Sequence, residues 1–179
     1  MRALVVYESM FGNTQTIAEA IADGIGRSCM VETVEVSSAP GSIGADFDLL
    51  VVGGPTHQFG MSRASSRSDA AKKAERALVS AQGGVREWLE SVRREAPVAA
   101  AAFDTRMNSP RWLQYVGSAA GKIEKRLKRA GFDITAPAEH FHVTGMHGPL
   151  LEGEIQRARL WGQGLALGLS GSIEGLQAA

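Results

Sequence analysis

Three nearly continuous apolar runs constrain this chain more than any other feature: Leu4-Val5-Val6-Tyr7, Leu49-Leu50-Val51-Val52-Gly53 and Val98-Ala99-Ala100-Ala101-Ala102-Phe103. Each has strand length and lacks the polar alternation of a half-solvated sheet, which suits central parallel strands buried on both faces. Parallel neighbours cannot be joined by a hairpin, so the connections must contain crossover helices. The intervening sequence supplies them. Ile17, Ile21 and Ile25 recur at helical spacing beside alanines, and Gly26 is placed to cap the end. Val85, Trp88, Leu89 and Val92 form a second stripe. Ile123, Leu127 and Ala130 form a third, opposite a solvated face of Lys122, Lys125, Arg126, Lys128 and Arg129, and Gly131 stops that helix. Ile155, Ala158, Trp161 and Leu165 mark a last one. Residues 31–36 alternate and suit an edge strand, as do His140-Phe141-His142-Val143.

Strands alternating with helices in this way predict an α/β fold, a doubly wound sheet with helices on both faces. At 179 residues the chain is expected to form a single domain over 1–169, with an aperiodic tail at 170–179 that frays. Nineteen basic and 19 acidic residues leave no global field to recruit nucleic acid or an anionic membrane. No apolar run approaches the roughly 20 residues of a membrane span, and the N-terminal one is too short for a signal peptide. A single cysteine, Cys29, excludes an internal disulfide framework and fits a cytoplasmic location. His57, His140, His142 and His147 have no metal-binding spacing, so no metal is expected.

In such sheets ligands bind beyond the carboxyl ends of the strands, at the topological switch point. For strand order 2-1-3-4-5 that point lies between the first and third strands, and three loops converge there. The first is Ser9-Met10-Phe11-Gly12-Asn13-Thr14, directly after the first apolar run. Small and hydroxyl residues opening a helix make an anion site, because the first-turn amides are unpaired and the dipole favours negative charge. An ordinary capped helix start, with Asn13 or Thr14 as the cap, gives the same pattern. The loop has no Lys or Arg, so it is not a Walker A loop. The second loop, Gly53-Gly54-Pro55-Thr56-His57-Gln58-Phe59-Gly60-Met61, lets a backbone approach a planar ligand closely.

The first loop resembles the (T/S)-x-(T/S)-G-x-T phosphate loop of flavodoxin-like proteins, and the G-x-P-T run resembles their isoalloxazine loop. Ser9-Met10-Phe11-Gly12, Pro55-Thr56 and Phe59-Gly60-Met61 also look like the flavin-dependent NAD(P)H:quinone reductases related to tryptophan-repressor-binding protein. The resemblance implies a five-stranded parallel sheet in the order 2-1-3-4-5. It also implies FMN held by Ser9, Met10, Phe11, Gly12, Asn13 and Thr14 at the phosphate, and by Pro55, Thr56, His57, Gln58, Phe59 and Gly60 at the ring. A third loop beginning Phe103-Asp104-Thr105-Arg106 would cover the other side of the flavin, with either Trp112 or Tyr115 placed to stack or to pad the following helix. Three features depart from the family. Phe11 replaces a hydroxyl residue, an insert runs over 62–82, and the net charge is zero where the family's carriers are strongly acidic.

A phosphorelay receiver domain is excluded, since Gly53-Gly54-Pro55 stands where it needs an aspartate. A hydrolase lacks its G-x-S-x-G elbow. Three readings follow: an FMN protein passing electrons to a redox partner protein, an FMN enzyme reducing a quinone-like molecule with a nicotinamide cofactor, or a flavodoxin-like binding module that has lost its flavin. In the redox readings, backbone amides favour the anionic reduced flavin and carboxylates such as Asp104 oppose it. Arg63 and Arg67 in the insert are expected to form a lid that contacts an anionic ligand, or else a solvated loop.

Overall fold

The first apolar run becomes β1 (Arg2–Tyr7) in the computed structural model, which describes residues 1–57, 60–73, 78–108 and 117–177. There follow α1 (Asn13–Ile25), β2 (Met30–Glu35), a 3-10 turn (Val36–Ser38), β3 (Ser42–Ile43) and β4 (Leu49–Pro55). The second half holds α2 (Ala64–Lys73), α3 (Val85–Ser91), β5 (Arg93–Arg94), β6 (Ala99–Met107), α4 (Ala119–Arg129), β7 (Asp133–Ile134), β8 (Glu139–Val143) and α5 (Glu154–Gln177). The main sheet is parallel throughout, with β2, β1, β4 and β6 side by side and β7 and β8 both on the far edge of β6. Taking the five main strands in chain order, this is 2-1-3-4-5.

Alternation along each buried strand divides the core into two layers. Leu4, Val6, Leu50, Val52, Ala100 and Ala102 face Val85, Trp88 and Leu89 of α3 and Ile123 and Leu127 of α4. Ala3, Val5, Leu49, Val51, Ala101 and Phe103 face Ile17, Ile21 and Ile25 of α1 and Ala158, Leu165 and Ala166 of α5. The three isoleucines are fully buried. Each contributes about 1.5–3 kcal/mol by leaving water. Helices α1 and α5 approach to backbone contact. A Cβ on Gly24 would stand 2.1 Å from the Arg159 carbonyl oxygen, and one on Gly162 would stand 2.2 Å from that of Ile21. Glycine is required at both positions by space.

Several boundaries differ from the sequence reading. The fifth strand position is filled by two segments, because the polypeptide leaves the edge of β6 after Ile134 and returns at Glu139, with Pro137 between them. The two-residue strands β3 and β5 pair with each other away from the main sheet, and are too short to show a period. Ile155 is 38 % exposed, so the buried stripe of α5 starts at Ala158. That helix also continues past Ser170 to Gln177, where a frayed tail was expected; the Ser170 hydroxyl bonds back to the Ala166 carbonyl at 3.1 Å. Helix α1 is entered through Gly12 with no side-chain cap, so neither Asn13 nor Thr14 fills that role.

Candidate functional site

The carboxyl ends of β1, β4 and β6 open onto a cavity of about 320 Å³. Its first wall is the β1–α1 turn, contributing Ser9, Met10, Phe11, Asn13 and Thr14. Gly12, the residue before α1, has φ +91° and nothing within 4 Å of where a Cβ would stand. This left-handed conformation, accessible to glycine at little cost, turns the chain sharply into the helix. The first α-helical bond runs from the Thr16 amide to the Gly12 carbonyl at 2.9 Å. The amides of Asn13, Thr14 and Gln15 are therefore the orphan donors of the helix start. The turn is braced from behind: Ser9 donates its amide to the Ser80 hydroxyl at 2.9 Å and accepts the Gly12 amide on its own hydroxyl at 3.1 Å.

Opposite stand Thr105, Arg106 and Met107. The Thr14 and Thr105 hydroxyls lie 2.7 Å apart, both buried. Only one can donate to the other, so the pair retains one O–H for a ligand. Together with the helix amides, this gives the donors a phosphate dianion needs without a cation in the loop.

Pro55, Thr56 and His57 form the third wall. The Thr56 hydroxyl donates to Asp104 at 2.7 Å and accepts the Ala119 amide at 2.9 Å, so its proton is committed within the protein. His57 exchanges main-chain bonds with Gly60 at 2.7 and 2.9 Å, closing a tight turn. Burial lowers the His57 pKa, and the Arg67 charge lowers it further, so the imidazole is neutral at neutral pH.

The third expected loop is not a loop at its start. Phe103, Asp104, Thr105 and Arg106 all belong to β6, whose polar end conceals its continuation in the sequence. Phe103 lies in the core between Phe141 and Trp161, with ring centroids 6.1 and 6.4 Å away, and it fills the space beside Gly53. Asp104 is fully buried and does not line the cavity. Besides Thr56 it accepts the Ala120 amide at 3.0 Å and pairs with His140 Nδ1 at 2.9 Å, tying the β4 loop, α4 and β8 together. Gly60 also stands off the cavity, beside the Lys122 ammonium. Gln58, Phe59, Trp112 and Tyr115 lie outside the described residues.

The insert supplies a wall, through Ser66 and Asp69 of α2. Arg67 cannot serve as a lid residue. It is 7 % exposed, and its guanidinium bonds the Ser62 hydroxyl at 2.9 Å and both carboxylate oxygens of Glu87 at 3.1 and 3.2 Å. Val143, the last residue of β8, and Gly145 and Met146 just after it complete the rim. Nothing in their sequence marks them; they follow from β8 ending on the same sheet edge.

The flavodoxin family model matches residues 5–161. Among solved structures, a flavodoxin from the domain Archaea superimposes with a TM-score of 0.62 at 19 % identity, over 95 % of this chain and 99 % of its own. A flavodoxin, WrbA-like protein from Agrobacterium tumefaciens gives 0.55 at 18 %, over 94 % and 97 %. Rubredoxin oxygen:oxidoreductase from the anaerobe Desulfovibrio gigas gives 0.62 at 15 %; the match covers 96 % of this chain but 37 % of that one. Comparison with curated protein sequences finds no match. Among the described residues, no helix is long and apolar enough to cross a membrane.

Proposed function

This chain belongs to the flavodoxin family, a family of flavin-binding electron-transfer proteins, and from that premise we propose that its cavity holds FMN and that it passes electrons to a redox partner. One observation carries the cofactor assignment. The turn after β1 and the carboxyl ends of β4 and β6 border one cavity whose inner wall joins a helix N-terminus to the Thr14–Thr105 hydroxyl pair. The amides of Asn13, Thr14 and Gln15 and the spare hydroxyl proton would hold the phosphate. The Pro55-Thr56-His57 segment and the end of β6 would hold the ring. The flavin supplies the redox chemistry, accepting and releasing electrons at its ring. The protein orients it: Asp104 fixes the Thr56 loop against α4, and the neutral His57 offers the ring a hydrogen-bonding partner without adding charge.

A second reading, an enzyme that reduces a quinone-like molecule with a nicotinamide cofactor, is favoured by two observations. The net charge is zero, and α2 builds part of the cavity wall through Ser66 and Asp69. Steady-state turnover of a nicotinamide donor with a soluble quinone separates the two, since a carrier shows none without a protein partner. The cofactor itself is tested by titrating flavin-free protein with FMN and identifying what heat-denatured holoprotein releases. One FMN per chain is expected. Protein that takes up no FMN, or that releases only a dinucleotide, would defeat the assignment.

A further inference from the structure

The turn that follows β8 is tied to the start of α1. It folds back on itself: the Thr144 amide donates to the Pro149 carbonyl at 2.9 Å, and the Gly148 amide to the Gly145 carbonyl at 3.1 Å. Gly145 and Met146 of this turn line the cavity, and the β1–α1 turn lines the same cavity through Phe11 and Asn13. Both of those residues reach His147. The His147 ring meets the Phe11 ring edge to face, with centroids 4.4 Å apart, and the Asn13 side-chain amide donates to the His147 carbonyl at 3.1 Å. The two turns approach closely, since a Cβ on Gly148 would stand 2.5 Å from the Asn13 Oδ1. Phe11 occupies the position where the family's phosphate loop carries a hydroxyl residue, and a phenyl ring has no donor to offer a phosphate. The structure gives that ring a different partner.

We infer that residues 145–148 form a strap across the phosphate end of the cavity, latched by His147 onto Phe11 and Asn13, and that this strap sets how fast FMN enters and leaves. The inference rests on the flavin reading above. The Asn13 main-chain amide is one of the three that would hold the phosphate, and its side chain holds the strap, so the latch closes beside the phosphate. His147 itself lies outside the cavity's described lining. Its two contacts join protein to protein and are the same with FMN bound or absent. They therefore add to the barrier for passage and leave the affinity alone. Loss of an edge contact between two rings lowers such a barrier by an amount worth about two- to tenfold in rate.

The test measures FMN entry by stopped-flow mixing with flavin-free protein, and FMN departure by chasing isotope-labelled FMN with an excess of unlabelled FMN. His147→Ala removes the ring and keeps the carbonyl, while His147→Phe keeps an aromatic contact. His147 is exposed, so neither change empties a core. In His147→Ala both rate constants should rise together by about two- to tenfold, with the Kd unchanged. His147→Phe should stay close to wild type. Phe11→Ala combined with His147→Ala should exchange FMN no faster than Phe11→Ala alone, because one ring pair can be broken only once. A folded His147→Ala variant with both rates unchanged would overturn the inference. So would a rise in the dissociation rate alone with a matching loss of affinity, since His147 would then act on FMN directly. Either of those results leaves the flavin reading standing, whereas wild type that takes up no FMN defeats that reading and this inference together.

Discussion

Thr14 and Thr105 meet from different elements, one in the first turn of α1 and the other near the end of β6, and their shared hydrogen bond joins those two walls. Hydrogen bonds to a charged phosphate are worth roughly 1.5–3 kcal/mol each. Thr14→Ala should therefore weaken FMN by about ten- to a hundredfold. Riboflavin, which lacks the phosphate, should lose much less, as competitive titration of the two ligands would show. Equal losses would mean that Thr14 acts through helix stability. Gly12→Asp should abolish FMN binding, since it puts a like charge beside the dianion at a φ of +91° that only glycine adopts easily. Both residues stand out in the sequence, because the hydroxyl-rich turn after an apolar run is a local pattern. The partner Thr105 is harder to assign, since its role depends on where β6 ends.

At the scale of elements, the long strands and helices were legible and the polar joints were not. Uniform apolar runs mark β1, β4 and β6, and helical stripes mark α1, α3 and α4. What concealed the last part of β6 was Asp104, Thr105 and Arg106, polar residues that read as a loop but are buried by tertiary contacts. Arg67 misled in the same way, because its pairing with Glu87 spans 20 residues and leaves no local trace. Glu8 is another such joint, linking the end of β1 to the start of α3 through the Val85 amide. Burial raises its pKa, against hydrogen bonds from Ser62 and Val85 and the Arg67 charge. A raised carboxyl pKa means that the fold favours the protonated form, so the native state holds more protons than the unfolded chain between the two pKa values. The stability this group contributes is thus present below its unfolded pKa and is lost as pH rises through the folded value. Glu8→Gln mimics the protonated form. Thermal unfolding should show the variant more stable than wild type at about pH 8, with the difference shrinking toward about pH 4. A difference that grows on acidification would reverse the assignment.

At the scale of the molecule, the order 2-1-3-4-5 brings three segments far apart in sequence to one edge of the sheet. Brought together there, the segments at residues 9–14, 55–57 and 105–107 become one cavity wall each. The topology followed from the alternation of strands and helices together with the motifs, and the switch point it implies is the sheet edge onto which the cavity opens. The sequence did not disclose the wall supplied by α2 or the rim after β8, because neither carries a motif and both depend on how the sheet edge is covered. The charge balance belongs to this scale too. With 19 residues of each sign, the chain has no net field to steer it to a charged partner. If these three segments form one flavin site, FMN will slow amide hydrogen exchange at them. The slowed amides should fall at residues 9–15, 54–57 and 105–107, with those of Asn13, Thr14 and Gln15 the most affected, and other elements should change little. Protection concentrated elsewhere, such as along α5, or no protection in the presence of excess FMN, would contradict the shared site.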